Sequence, residues 1–94
     1  MAILLVRHKV ADYDKWRPFY DRDGEMRKTA GCTGTHLFRN ANDPNEVIIN
    51  LQWDTLENAQ KFLASPELQQ VMKDAGGIDQ PDVWFLEDAG RTAS

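Results

Sequence analysis

The chain has 94 residues, enough for one domain and too few for a linker and a second core. It is 41% hydrophobic and 28% charged, an ordinary balance for a soluble globular protein. Its formal net charge of −4, with Lys and Arg scattered along the chain, argues against a nucleic-acid backbone as partner.

A single cysteine, Cys32, rules out an internal disulfide and suits a reducing compartment. The opening Met-Ala-Ile-Leu-Leu-Val is closed by Arg7, His8 and Lys9, too soon for a secretory leader or a membrane span. The expectation is a cytoplasmic protein with no membrane partner.

Ile3–Val10 reads as a first strand, β-branched and leucine-rich. Asp12 is placed to cap a helix that enters through Tyr13 and Trp16. Apolar residues recur at 16, 19, 20, 26 and 30, near helical spacing. Pro18 lies inside that pattern and predicts a kink, since proline has no N–H to donate. Gly24 weakens the pattern, and Gly31 ends it as a left-handed cap.

Cys32–Asn40 is the second strand, locally weak at Gly34. The turn residues Ala41-Asn42-Asp43-Pro44-Asn45 lead into Glu46–Trp53. There Val47, Ile49, Leu51 and Trp53 alternate with Glu46, Ile48, Asn50 and Gln52 at the period of a strand. The two runs predict a hairpin with Thr35–Arg39 against Val47–Leu51.

Asp54 or Thr55 caps the next helix, with Leu56, Ala59, Phe62 and Leu63 on one face. Ser65-Pro66-Glu67 restarts it, and Leu68, Val71, Met72 and Ala75 extend the apolar face to Gly76-Gly77. Val83–Glu87 is the last strand. The predicted domain is 1–87, with a frayed tail over 88–94.

The order predicts an α+β, ferredoxin-like βαββ(αα)β sandwich with a four-stranded antiparallel sheet and the first and third strands at its centre. The helices cover one face of that sheet only. The first strand is apolar at both parities, and the last offers Val83, Trp84, Phe85 and Leu86. An uncovered apolar face of this kind marks an interface, so a homodimer packed sheet to sheet is expected, the alternative being a monomer with extra cover from its tail.

Particular motifs carry a resemblance over residues 3 to 87. They are Val10-Ala11-Asp12-Tyr13-Asp14-Lys15-Trp16, Phe38-Arg39-Asn40 with Asp43-Pro44-Asn45-Glu46-Val47, and Ser65-Pro66-Glu67-Leu68 with Ala75-Gly76-Gly77. On these the chain resembles the dimeric α/β-barrel superfamily, in particular its antibiotic-biosynthesis-monooxygenase-like and cyclase-like members. The resemblance implies the sheet-to-sheet α/β barrel. It also implies a range of activities: cofactor-free oxygenases of polyketide-like aromatics, haem-degrading enzymes and lactone isomerases. The haem branch uses a histidine on the second helical segment, and residues 55–77 contain none.

No zinc spacing, phosphate loop, Ser-His-Asp order or CxxC occurs, and no cofactor is called for. His8 is a candidate general base, with the alternative of a hydrogen-bonded strand-end residue. Trp16 and Trp53 are candidate pocket walls or simple core, and Trp84 is expected at the dimer seam. Asn50 is a candidate holder of a developing oxyanion, and Gln52 of a substrate carbonyl. Both amides equally fit a ladder between subunits. His36 and Arg39 complete the candidate binding set. Arg39 and Arg27 are candidates to neutralise an acidic ligand, and surface pairing with Asp43 or Glu25 is the expected alternative. Cys32 shows no sign of a nucleophile.

Three functions fit these residues. The first is a cofactor-independent monooxygenase or cyclase/isomerase acting on a small aromatic or enolisable compound. The second is a binding protein with the same pocket, and the third is a purely structural dimer.

Overall fold

A computed structural model of the protein describes residues 2–74 and 81–92. The chain runs β1 (Ala2–Lys9), α1 (Tyr13–Arg22), α2 (Gly24–Thr29), β2 (Cys32–Asn40), β3 (Asp43–Trp53), α3 (Leu56–Leu63), α4 (Pro66–Asp74) and β4 (Asp82–Glu87). The strands form one antiparallel sheet in the order β2-β3-β1-β4, the ferredoxin-like α+β arrangement, with β1 and β3 central. The hairpin register is the one the sequence predicts, Thr35 opposite Leu51 and Arg39 opposite Val47.

Facing residues on paired strands point the same way, so register assigns every strand residue to a face. Leu4, Val6 and His8 of β1 share a face with Val47, Ile49, Leu51 and Trp53 of β3. All seven are buried, together with Val10, Trp16, Ala59 and Phe62. The helices cover this face: α3 packs across β1 and β3, α1 on β3, and α2 beside β2. Fully burying one such Val or Leu contributes roughly 1.5–3 kcal/mol, so the β1–β3 centre anchors the domain.

The other face carries Leu5, Arg7, Ile48, Asn50, Phe38 and Trp84, and no element among the described residues covers it. Across it Arg7 joins three strands, its Nε donating to Glu46 Oε1 and its Nη1 to Asp82 Oδ2, each at 3.0 Å.

Several boundaries differ from the sequence reading. The first helix runs through Pro18 and breaks instead at Asp23, whose φ of −85° and ψ of 5° leave the helical range. Gly24 there opens a second helix rather than merely weakening the first. The third strand begins at Asp43, because local side-chain bonds absorb the turn. Asn40 Oδ1 accepts from the Asn42 N–H at 2.8 Å, and Asp43 Oδ1 from the Asn45 N–H at 3.0 Å. Thr55 is the cap of α3, accepting from the Asn58 N–H at 3.1 Å.

Gly31 has φ +112°, the positive value expected of a helix-ending glycine. Residues 88–92 carry neither helix nor strand. The side chains of Val71 and Met72, and the expected helix end at Ala75-Gly76-Gly77, lie outside the described residues.

Candidate functional site

The first helix is held over the sheet at its N-terminus. Asp12 caps it, accepting from the Asp14 N–H at 3.0 Å. Asn45 ties three elements together. Its carbonyl accepts from the Val10 N–H at 2.8 Å, and its Oδ1 accepts from the Tyr13 N–H at 2.9 Å. The end of β1, the start of α1 and β3 are thereby fixed to one another. This anchoring sets how Trp16, Phe19 and Tyr20 lie above β1 and β3.

Between them is a cavity of about 80 Å³. The sheet supplies its floor through Leu4, Val6, His8, Ile49 and Leu51. Trp16, Phe19 and Tyr20 form one wall, and Phe62 with Leu63 the opposite one. Asp23, Arg27, Leu68 and Pro81 complete the lining among the described residues. The space holds several waters or a small ring, and its surface is overwhelmingly apolar.

Few polar groups reach this cavity. His8 is 5% exposed and is the one buried polar residue among the described ones. The Tyr20 hydroxyl and the Arg27 Nε are both buried and have no hydrogen-bond partner among the described residues. Tyr20 stacks on Trp16 with ring centroids 5.2 Å apart, and the Arg27 guanidinium lies 4.2 Å from the Tyr20 ring centre. Arg27 forms no ion pair among the described residues, so the expected pairing with Glu25 is not made. Asp43 is held by Lys9 at 3.2 Å rather than by Arg39. Arg39 instead lies over the Tyr13 ring, 4.5 Å from its centre.

The remaining sequence candidates divide by strand parity. His8 and Trp16 meet at the cavity. Trp53 faces the helices but is wholly buried against Phe62, at 4.9 Å between ring centroids, and does not line the cavity. Asn50, Gln52 and His36 lie on the uncovered face, away from His8. His36 stacks on Phe38 there at 4.1 Å, and Asn50 Oδ1 is buried with no hydrogen-bond partner among the described residues. Trp84 lies on the same uncovered face and is 47% exposed.

Cys32 is half-buried, and burial pushes its thiol up, against a weaker opposing pull from a backbone hydrogen bond at Gly34 and from Arg27. That is the direction of an unreactive thiol. Tyr20 and Arg27 were not singled out as a pair by the sequence. They stand seven residues apart, one on α1 and one on α2, with the break at Asp23 between them.

Among the described residues no helix is long and apolar enough to cross a membrane, and no group of three metal-binding side chains gathers.

The family model described as Antibiotic biosynthesis monooxygenase matches residues 14–74. A comparison with curated proteins gives no match. Among solved structures, the chain is similar to SnoaB, a cofactor-independent oxygenase from Streptomyces nogalater. The TM-score is 0.78 at 12% identity, covering 99% of this chain and 97% of that one. It is also similar to the monooxygenase of the ActVA-Orf6 gene of Streptomyces coelicolor, solved with the ligand Nanaomycin D. Here the TM-score is 0.69 at 14% identity, with 99% and 91% covered. A third is Rv0793 from Mycobacterium tuberculosis, with TM-score 0.70 and 14% identity over the whole of both chains.

Proposed function

The chain belongs to the antibiotic biosynthesis monooxygenase family, and from that premise we propose that it is a cofactor-independent monooxygenase of a small aromatic or enolisable compound. The observation that carries this reading is the helix-covered cavity itself. It is apolar, enclosed by stacked aromatic side chains, and served by a buried histidine.

His8 is the proposed base. Held in a largely dry site at the end of β1, it takes the acidic proton of the substrate. The resulting carbanion gives one electron to O₂, and the two radicals join in a C–O bond. The peroxide anion takes the proton back from His8 and then loses water, leaving a carbonyl. One O₂ is consumed per substrate, one oxygen atom entering the product and the other leaving as water. Trp16 packs against the ring and keeps water from the carbanion.

The uncovered face is proposed to be the seam of a homodimer, sheet against sheet. Phe38, Trp84 and Leu86 are 46%, 47% and 40% exposed there, an apolar surface of the kind that marks an interface. Asn50, Gln52 and His36 then act at the seam, where a partner chain would satisfy the Asn50 oxygen. A non-catalytic binding protein with the same cavity is the second reading, favoured by the small size of the space.

Oxygen uptake with a series of phenols, naphthols and cyclic enolisable ketones tests the proposal. The expected result is stoichiometric uptake with at least one of them, reduced about 10²- to 10⁴-fold in His8→Ala. Saturable binding without oxygen uptake across the series would favour the binding protein.

A further inference from the structure

An arginine with a buried, unbonded N–H is an unusual thing to find beside an apolar cavity. Charged groups taken out of water are ordinarily paired. Three other arginines have carboxylate neighbours: Arg7 is paired with Glu46 and Asp82, Arg17 with Asp21, and Arg22 lies 3.9 Å from Asp23, whereas Arg39, like Arg27, lies over a tyrosine ring. Arg27 lines the cavity, has no carboxylate partner among the described residues, and its Nε is buried with no acceptor. The Tyr20 hydroxyl is in the same condition in the same cavity. Both side chains line one apolar space, and among the described residues neither buried donor has an acceptor.

We propose that Arg27 and Tyr20 form an anion-recognition pair for a substrate carrying an acidic oxygen, a carboxylate or an acidic phenol, on its ring. The inference rests on the reading of the cavity as a substrate site and names the class of substrate it takes.

The Arg27 guanidinium is pre-placed by its packing on the Tyr20 ring at 4.2 Å, and that ring is itself fixed by stacking on Trp16 at 5.2 Å. A guanidinium so oriented donates to an oxygen without first losing rotamer freedom. The Tyr20 O–H supplies a second, neutral donor. Asp23 also lines the cavity and opposes an anion, but Arg22 lies 3.9 Å from its carboxylate and offsets that charge. The apolar floor at Leu4 and Leu51 takes the ring while the acidic oxygen turns toward α2.

Matched ligand pairs test this, read by quenching of tryptophan fluorescence on the full-length chain. Benzoate is compared with benzamide, and ionised 4-nitrophenol with nitrobenzene. In the unsubstituted protein the anionic member of one pair binds about tenfold or more tighter than its neutral match. The pair that shows the preference identifies the acid as carboxylate or phenol. Arg27→Gln abolishes the preference while retaining the neutral ligand's affinity. Tyr20→Phe, which keeps the ring under Arg27, lowers it by a smaller factor and covers the case in which Arg27→Gln fails to fold. Equal binding of both members in both pairs, with the neutral ligands still saturable, overturns this inference and leaves the cavity's role standing. No binding of any of the four overturns both.

Discussion

His8 and Asn50 stand on neighbouring central strands and point to opposite faces of the sheet. His8 is paired with Val47 on the helix side, whereas Asn50 is paired with Leu5 on the uncovered side. A base and an oxyanion holder so placed do not serve one substrate within one protomer. Their substitutions therefore separate. His8→Ala is expected to reduce oxygen uptake about 10²- to 10⁴-fold while changing ligand affinity little. Asn50→Asp is expected to weaken self-association by placing a charge in the seam. Oxygen-electrode and sedimentation measurements on both variants check this. Equal losses of turnover, with no change in association, would place the two side chains in a common site.

Trp84→Glu is the sharper test of the seam. Trp84 lies opposite Leu5 on the uncovered face, so a carboxylate there is desolvated by any sheet-to-sheet partner at a cost of several kcal/mol. Light scattering at about micromolar to tens of micromolar chain, well above the dissociation constant of a standard-size interface, is expected to report a dimer for the unsubstituted protein and a monomer for the variant. A monomer in both cases removes the dimer.

The division between faces is the feature the sequence left undecided, and the reason is physical. β1 is apolar at both parities, Ile3 and Leu5 against Leu4 and Val6, so its pattern does not say which set meets the helices. The alternation in β3 was readable, because Val47, Ile49, Leu51 and Trp53 form an unbroken apolar set. It gave the strand, its central place and the hairpin register, all of which the structure shows. His8 and Trp16 were legible as members of the candidate site through residue type and position. Arg27 was legible only as a cation that meets an acidic ligand or pairs with Glu25; its packing on Tyr20 was not, because it joins side chains on either side of the helix break at Asp23. The signal that was available is Asp23-Gly24 itself, a cap residue followed by a glycine inside an apolar periodicity.

Gly31 is the position where the backbone tolerates least. Its φ is +112°, and a Cβ there would stand 2.6 Å from Asp54 Oδ1. That oxygen is not free to move, since it accepts from the Thr55 N–H at 2.7 Å and from Asn58 Nδ2 at 2.9 Å. Gly31→Ala is expected to destabilise the fold by roughly 1–3 kcal/mol, read from urea denaturation. A midpoint within error of the unsubstituted protein would contradict the geometry at the α2–β2 junction.

Asp43 links stability to acid pH. The Asn45 backbone N–H, first, and then Lys9 hold its carboxyl below the usual carboxylate range. A depressed native pKa contributes stability that is present above the unfolded value of about 3.9 and is lost as pH falls through the native one. Asp43→Asn is therefore expected to flatten the acid limb of a melting-temperature profile below about pH 4 and to leave its slope near neutrality unchanged. An unchanged acid limb would show that the Asn45 and Lys9 contacts do not persist in solution.

On the proposed reading, ligand enters on the helix side of the sheet, between Trp16 and His8. A titration with a single-ring aromatic, followed through the indole N–H resonances of a ¹⁵N-labelled sample, tests it most directly. Trp16 lines the cavity and Trp84 lies on the uncovered face, so the two report on opposite sides of the sheet. The account predicts a saturable shift of the Trp16 resonance with Trp84 unmoved. A saturable shift confined to Trp84, or none at either, would contradict it.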